Sequence, residues 1–145
     1  MESKSRRDIS HFEGTWQIAR QIEDRMGGQE AHFSGRAKLR PLGEHWLWQE
    51  SGEIRYGAGP ALKAERSYLW RPMGRRIAVH FEDGAFFHDF DPEAPAPEAE
   101  HFCTPDLYHA AYDFTRWPRW QVTWEVAGPR KDYRMTSECR RPETG

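Results

Sequence analysis

The charged side chains that alternate with aromatic and aliphatic residues are the first candidates for chemistry in this chain. Arg20 follows Ile18 at an interval of two residues, and Arg66 precedes Tyr68 at the same interval. Because side chains two positions apart in a β-strand share a face, both arginines are predicted to lie on apolar faces. A charge on such a face is costly unless it is paired, hydrogen-bonded or hydrated. The spacing therefore predicts either structural ion pairs or a polar binding site.

A histidine is predicted to join them from the aromatic segment FEDGAFFHDF, residues 81–90. If the Asp-Gly pair of this segment forms a two-residue hairpin loop, Val79 pairs with His88 and Phe81 pairs with Phe86. Cross-strand partners share a face, so His88 is predicted to point into the core together with Phe86. A bulged turn would shift this register by one residue.

The same alternation selects a larger set of inward-facing side chains, with Phe102, Tyr112 and Phe114 among the apolar ones. The candidate ligand-binding residues are Arg20, Trp48, Glu50, Arg66, Tyr68, Trp70, His88, Asp106, Tyr108, Trp124, Lys131 and Tyr133. Their types predict a polar cavity with aromatic walls. The charges also fit two structural ion pairs that fill the interior, Arg20 with Glu50 and Arg66 with Asp106.

Strands are predicted along most of the chain. About nine alternating segments are separated by turn signals such as MGG, PLGE and GAGP. Short connections favour an antiparallel meander, and closure into a barrel removes its exposed edges. We predict one all-β domain over residues 1–145, an up-and-down barrel, with a β-sandwich as the alternative. Residues 12–141 would form its core, residues 1–11 an N-terminal arm, and the proline-rich, acidic residues 92–100 an exposed loop.

Composition argues against several classes of partner. The net charge is −2, and the chain has no block of like charge suited to nucleic acid or a membrane surface. It has neither a secretory start nor an apolar run long enough to span a bilayer. With two cysteines and scattered histidines, we expect reduced thiols, no metal site and a cytoplasmic location. Leu47 and Leu69, on the outer face, suggest a possible homodimer.

One short motif and a set of longer segments resemble known protein families. FEGTW, residues 12–16, resembles the Gly-x-Trp start of lipocalins and related calycin barrels, in which an arginine of the last strand often covers the tryptophan. Arg134, Arg140 or Arg141 would supply that contact. The wider pattern resembles a bacterial family, domain of unknown function 6314, in the segments FEGTWQIARQI, WQESGEI, ERSYLWRP, FEDGAFFH, CTPDLYHAAYDF and WQVTWEVAGPRKDY. It implies a calycin-like barrel from Phe12 to Arg141, with motif positions Arg20, Glu50, Arg66, His88, Asp106, Tyr108 and Lys131.

Three functions fit this arrangement. The first is a barrel that binds a small polar or anionic organic ligand, with arginines facing a carboxylate or phosphate and tryptophans as flat walls. The second is an enzyme with lyase or isomerase chemistry, in which His88 acts with Asp106 or Glu50 as general acid and base. The third is a haem-binding barrel with His88 as axial ligand. The sequence leaves the identity of any cofactor open.

Overall fold

Ten antiparallel strands make up nearly all of the fold. The computed structural model describes residues 7–143, so the predictions for residues 1–6 and 144–145 lie outside the described part of the chain. The strands are β1 (Gly14–Asp24), β2 (Gln29–Leu42), β3 (His45–Tyr56), β4 (Ala61–Met73), β5 (Arg76–Phe81), β6 (Phe86–Phe90), β7 (Glu98–Cys103), β8 (Asp106–Asp113), β9 (Trp120–Gly128) and β10 (Lys131–Arg140). The strand beyond the nine expected arises because residues 101–114, expected from the sequence to be one extended segment, contain the end of β7 and all of β8.

All ten strands belong to one sheet, in the order β6-β5-β4-β3-β2-β1-β10-β9-β8-β7. Apart from β6 and β7, strands that follow one another in the chain are neighbours, and β1 pairs with β10, so the first and last strands lie side by side. The two ends of the sheet, β6 and β7, come together and leave the barrel nearly closed. The all-β, up-and-down barrel predicted from the sequence is confirmed, and the β-sandwich alternative is wrong.

Side chains close the seam between β6 and β7. Within residues 7–143 no backbone ladder joins these two strands. Instead, Phe87 of β6 lies edge-on against His101 of β7, with 5.3 Å between ring centroids. The seam is therefore held by packing where the rest of the barrel is held by hydrogen bonds.

The proline-rich connection between β6 and β7 is less exposed than the sequence suggests. Pro92 and Pro97 are buried, and residues 98–100 already belong to β7. The carbonyl oxygens of Pro97 and Pro95 accept hydrogen bonds from the backbone N–H groups of Tyr112 and Phe114, at 2.9 and 2.8 Å. The prediction of an exposed loop over residues 92–100 is wrong at Pro92 and Pro97, which are buried, whereas Pro95 is exposed.

An arginine over a tryptophan closes one end of the barrel. The guanidinium carbon of Arg141 lies 3.7 Å from the ring centroid of Trp16. Arg141 also donates hydrogen bonds to the carbonyl oxygens of Thr15, His11 and Glu13 at 2.9–3.1 Å. Of the three arginines left open by the sequence, Arg141 makes this contact.

The start of the described chain is part of this closed end. Ile9–Phe12 forms a 3₁₀ helix, and Ile9 and Phe12 are both buried. The Phe12 carbonyl accepts a 2.8 Å hydrogen bond from the indole N–H of Trp16. Ile9 is therefore part of the core, which corrects the prediction of a free arm over residues 1–11 at this position.

The hairpin that carries His88 contains a bulge. Val79 pairs with His88 as predicted, but His80, and not Phe81, pairs with Phe86. The extra residue places Phe87 inside and leaves Phe86 48% exposed. The prediction that Phe86 points inward is wrong because a bulge inverts the alternation beyond it.

Phe102 is also on the opposite face from the predicted one, and it is 65% exposed. The tight turn after β7 pairs Phe102 with Leu107 and His101 with Tyr108. Partners share a face, so an even-numbered residue of β7 lies with an odd-numbered residue of β8. His101 therefore points inward, while the predicted inward orientation of Tyr112 and Phe114 is confirmed by their burial.

Candidate functional site

A cavity of about 70 Å³ lies inside the barrel, and we call it the inner cavity. It is lined by predicted site residues, which are Arg20, Trp48, Glu50, Arg66, Tyr68, Trp70, His88 and Trp124. It is also lined by residues absent from that set, which are Val79, Phe87, Tyr112, Trp120, Val122, Met135, Ser137 and Cys139. Most of the missed residues continue the alternation of predicted ones: Met135, Ser137 and Cys139 follow Tyr133 at intervals of two on β10. Spacing by two residues along each strand would therefore have identified them from the sequence.

A larger pocket of about 510 Å³, the outer pocket, adjoins the inner cavity. Tyr108 and Tyr133, two further predicted site residues, line it together with His101. Both spaces share five lining residues, which we call the throat: Arg66, Tyr68, Phe87, Trp124 and Met135. The Phe87 ring stacks on that of Trp124 at 4.9 Å and on that of Tyr68 at 6.0 Å. Stacked rings thus separate the two spaces.

Asp106 and Lys131, the last two predicted site residues, line neither space and form an ion pair with each other. Lys131 Nζ lies 3.3 Å from a carboxylate oxygen of Asp106 and 3.3 Å from the hydroxyl oxygen of Tyr108. The predicted ion pair of Arg66 with Asp106 does not form, because Asp106 is paired with Lys131. Arg66 instead donates a 3.2 Å hydrogen bond to the Tyr68 hydroxyl.

Arg20 and Glu50 form a bidentate ion pair in the wall of the inner cavity. Nη1 and Nη2 of Arg20 each donate to a different carboxylate oxygen of Glu50, both at 2.9 Å. Nε of Arg20 donates to the Ser137 hydroxyl at 2.6 Å, and the Trp48 indole N–H donates to Glu50 at 2.9 Å. Both side chains are about nine-tenths buried, and their polar atoms have partners within the protein.

The electrostatics of this pair follow from its geometry. Burial destabilises the charged forms of both groups, but the attraction between their opposite charges and their hydrogen bonds outweighs this effect. The pKa of Glu50 is therefore lowered and the pKa of Arg20 is raised. The wall of the cavity holds one positive and one negative charge that neutralise each other.

Two glycines give Arg20 its position across the barrel wall. Gly35 of β2 pairs with Gly52 of β3, and the ring of Phe33 lies against both. A Cβ on either glycine would come within 2.9 Å of that ring and within 2.3 Å of a neighbouring carbonyl oxygen. The Arg20 guanidinium lies 5.1 Å from the centre of the Phe33 ring and from there reaches Glu50.

His88 is buried, neutral and bonded to a tyrosine. Its Nε2 lies 2.6 Å from the Tyr112 hydroxyl, while its Nδ1 is buried without a hydrogen-bond partner. Burial, with a smaller contribution from the charge of His101, lowers the pKa of His88 to about 3. Burial also raises the pKa of Tyr112, which keeps its proton.

These contacts bear on the alternative functions expected from the sequence. His88, Glu50 and Asp106 each bind a different partner: Tyr112, Arg20 and Lys131 respectively. None of the three is poised for acid–base exchange with another, and a histidine with a pKa of about 3 is a poor general acid near pH 7. A haem does not fit the inner cavity, which is far below the 300–1,000 Å³ of typical cofactor sites.

Residues 7–143 contain no group of three His, Cys, Asp or Glu side chains arranged to hold a metal ion. In the same part of the chain, no helix is long and apolar enough to cross a bilayer. Cys103 is exposed and Cys139 is buried, and neither forms a disulfide within the described residues.

Comparison with known proteins supports the fold and the family. The structure of the S-type phycobiliprotein lyase CPES from Guillardia theta matches with a TM-score of 0.64 at 10% sequence identity, over 94% of this chain and 91% of the lyase chain. At that identity the match shows a shared calycin-like barrel. No curated protein matches the sequence. The model of the family of unknown function DUF6314 matches residues 12–141, and the chain belongs to that family.

Proposed function

We propose that this chain binds a small organic acid inside the barrel, with Arg66 holding the carboxylate. The observation that carries the proposal is the contrast between two arginines. Arg20 is saturated by Glu50 and Ser137, whereas Arg66 has no carboxylate partner within the described residues. An unpaired guanidinium beside an aromatic cavity offers a planar set of donors that matches a carboxylate.

The charge of Arg66 acts on both sides of the throat. Burial has the largest effect on the pKa values of Glu50, Tyr68 and Tyr133, and the positive charge of Arg66 contributes to each of them. Glu50 lines the inner cavity, Tyr133 lines the outer pocket and Tyr68 lines both. A carboxylate bound at Arg66 would therefore lie where the two spaces meet.

The throat supplies flat apolar surface for the rest of the ligand. Tyr68, Phe87 and Trp124 form a stack in which neighbouring rings are inclined by 22° and 13°. Aromatic side chains of this kind favour planar ligands through stacking and burial of apolar area. The ligand class that this surface fits best is an aromatic carboxylic acid. Cytoplasmic location, a single domain and a homodimer stay predictions from the sequence.

The first experiment is native mass spectrometry of the full chain purified from its own host, compared with the mass of the denatured protein. A retained small molecule would give the ligand class directly. Calorimetric titrations with benzoate and benzamide then test the role of charge. We expect benzoate to bind more tightly, and Arg66→Gln to weaken benzoate about tenfold or more while leaving benzamide unchanged, as expected for a charged hydrogen bond.

Arg71 provides the matched control, because it lies on the same strand but lines neither space. Arg71→Gln should leave the dissociation constant for benzoate unchanged. Equal binding of benzoate by the wild-type chain and by Arg66→Gln would overturn the proposal.

A further inference from the structure

We propose that the inner cavity receives an uncharged hydrogen-bond acceptor, such as the carbonyl oxygen of a ketone or amide, and that His88 and Trp120 recognise it. This inference rests on the proposed function, since it names the group at the end of the ligand opposite its carboxylate. The ligand class is then an aromatic acid with a carbonyl group at its far end.

Apart from Arg66 at the throat, the charged groups of the inner cavity are Arg20 and Glu50, and they neutralise each other. Both oxygens of Glu50 accept hydrogen bonds from Arg20, and one also accepts from Trp48. The three guanidinium nitrogens of Arg20 all donate to Glu50 or Ser137. A second anion in this space would lie near Glu50 and gain no unpaired cation, so an uncharged group is favoured there.

The tautomer of His88 follows from its hydrogen bond with Tyr112. If the Tyr112 hydroxyl donates to Nε2, the ring proton lies on Nδ1 and only that N–H lacks a partner. If Nε2–H donates instead, both Nδ1 and the hydroxyl proton lack partners. Unpaired buried polar groups are costly, so the first arrangement is favoured. His88 is then a hydrogen-bond donor through Nδ1–H.

A second unpaired donor lies in the same wall. The indole N–H of Trp120 is buried and has no hydrogen-bond partner, and an indole nitrogen can only donate. Both side chains line the inner cavity. Two donors without acceptors select a ligand group that accepts and does not donate.

The size of the cavity limits what enters it. One water needs about 10–15 Å³ of such space. A volume of about 70 Å³ therefore admits a head of only a few non-hydrogen atoms, such as an acetyl group. The aromatic ring and the carboxylate stay at the throat, where Arg66 is found.

A matched pair of ligands tests the inference. The probes are para-acetylbenzoate and para-isopropylbenzoate, which differ by one oxygen in place of one methyl group. In calorimetric titrations we expect the acetyl compound to bind about tenfold more tightly, the effect of two net hydrogen bonds. The preference for the acetyl over the isopropyl compound should shrink several-fold in two variants. One is the double variant His88→Phe/Tyr112→Phe, which leaves no hydroxyl unpaired, and the other is Trp120→Phe. Equal affinities in the wild-type chain would overturn the inference.

A second measurement avoids the variants in the cavity wall and separates this inference from the proposed function. Acetophenone carries the carbonyl group without the carboxylate, and it can be titrated into isotope-labelled wild-type chain and Arg66→Gln. We expect the ¹⁵N signals of His88 to report the Nδ1–H tautomer, and the His88 Nδ1–H and Trp120 N–H signals to shift on titration in both proteins. Failure of these signals to shift overturns the inference even if benzoate binds at Arg66. Shifts without benzoate binding would contradict the proposed function alone.

Discussion

His88 makes the stability of the fold depend on pH in a specific window. Its pKa is about 3 in the folded chain, against 6.5 as its ordinary value. Between these values the unfolded chain binds one more proton than the folded chain, so the free energy of unfolding falls as the pH falls. Stability from this residue is fully present above pH 6.5 and is lost at about 1.4 kcal/mol per pH unit below it.

Urea unfolding between pH 6.5 and pH 4.5 measures this effect, because the carboxylates with lowered pKa values, such as Glu50, contribute mainly below that range. We expect His88→Phe to reduce the slope of the free energy of unfolding against pH by about 1.4 kcal/mol per pH unit, which corresponds to one bound proton. His32→Gln, at an exposed site on β2, serves as the control and should leave the slope unchanged. An unaltered slope in His88→Phe would show that the histidine is solvated in the folded chain.

At the scale of the strands, the pairing of Gly35 with Gly52 sets the shape of the wall beneath Arg20. A Cβ at position 52 would lie 2.3 Å from the Ser34 carbonyl oxygen and 2.6 Å from the Cα of Gly35. Both are backbone atoms, so β2 and β3 would have to move apart. We expect Gly52→Ala to lower the free energy of unfolding by about 3 kcal/mol, as overpacking in a core does.

The neighbouring substitution Ser51→Ala is the control for this prediction, since Ser51 is exposed and its change should stay within about 0.5 kcal/mol. Denaturant titration of both variants gives the comparison. If Gly52→Ala is as stable as Ser51→Ala, the close approach of the two strands is not required by the fold.

Strand alternation explains why so much of the site was predictable. Residues such as Trp48 and Glu50 were assigned to the inner face by spacing alone, and both line the inner cavity. The errors arose at turns, where the side-chain alternation is reset. The bulge that brings Phe87 inside is invisible in the sequence because Phe86 and Phe87 are the same residue type. The partner of Asp106 depends on how strands align in three dimensions, which spacing does not report.

For the whole molecule, we expect the barrel to open first at the seam between β6 and β7. Each of these strands has a backbone ladder on one side, whereas β2 is paired on both sides. We expect amide hydrogen exchange in residues 86–90 and 98–103 to be faster than in the centre of β2, because edge strands open at lower free energy. Mass spectrometry of the exchanged peptides measures this. Equal protection would mean that side-chain packing alone holds the seam as firmly as a ladder.

The two stacked tryptophans of the inner cavity have a consequence for its optical properties. The indole rings of Trp48 and Trp70 are 5.0 Å apart and inclined by 8°. At such a separation the electronic transitions of two identical chromophores couple, and the pair gives a circular dichroism couplet when its transition dipoles are twisted relative to each other. Both rings line the inner cavity, so a ligand that separates or rotates them changes the couplet. The chain thus carries a built-in, label-free reporter at its candidate site.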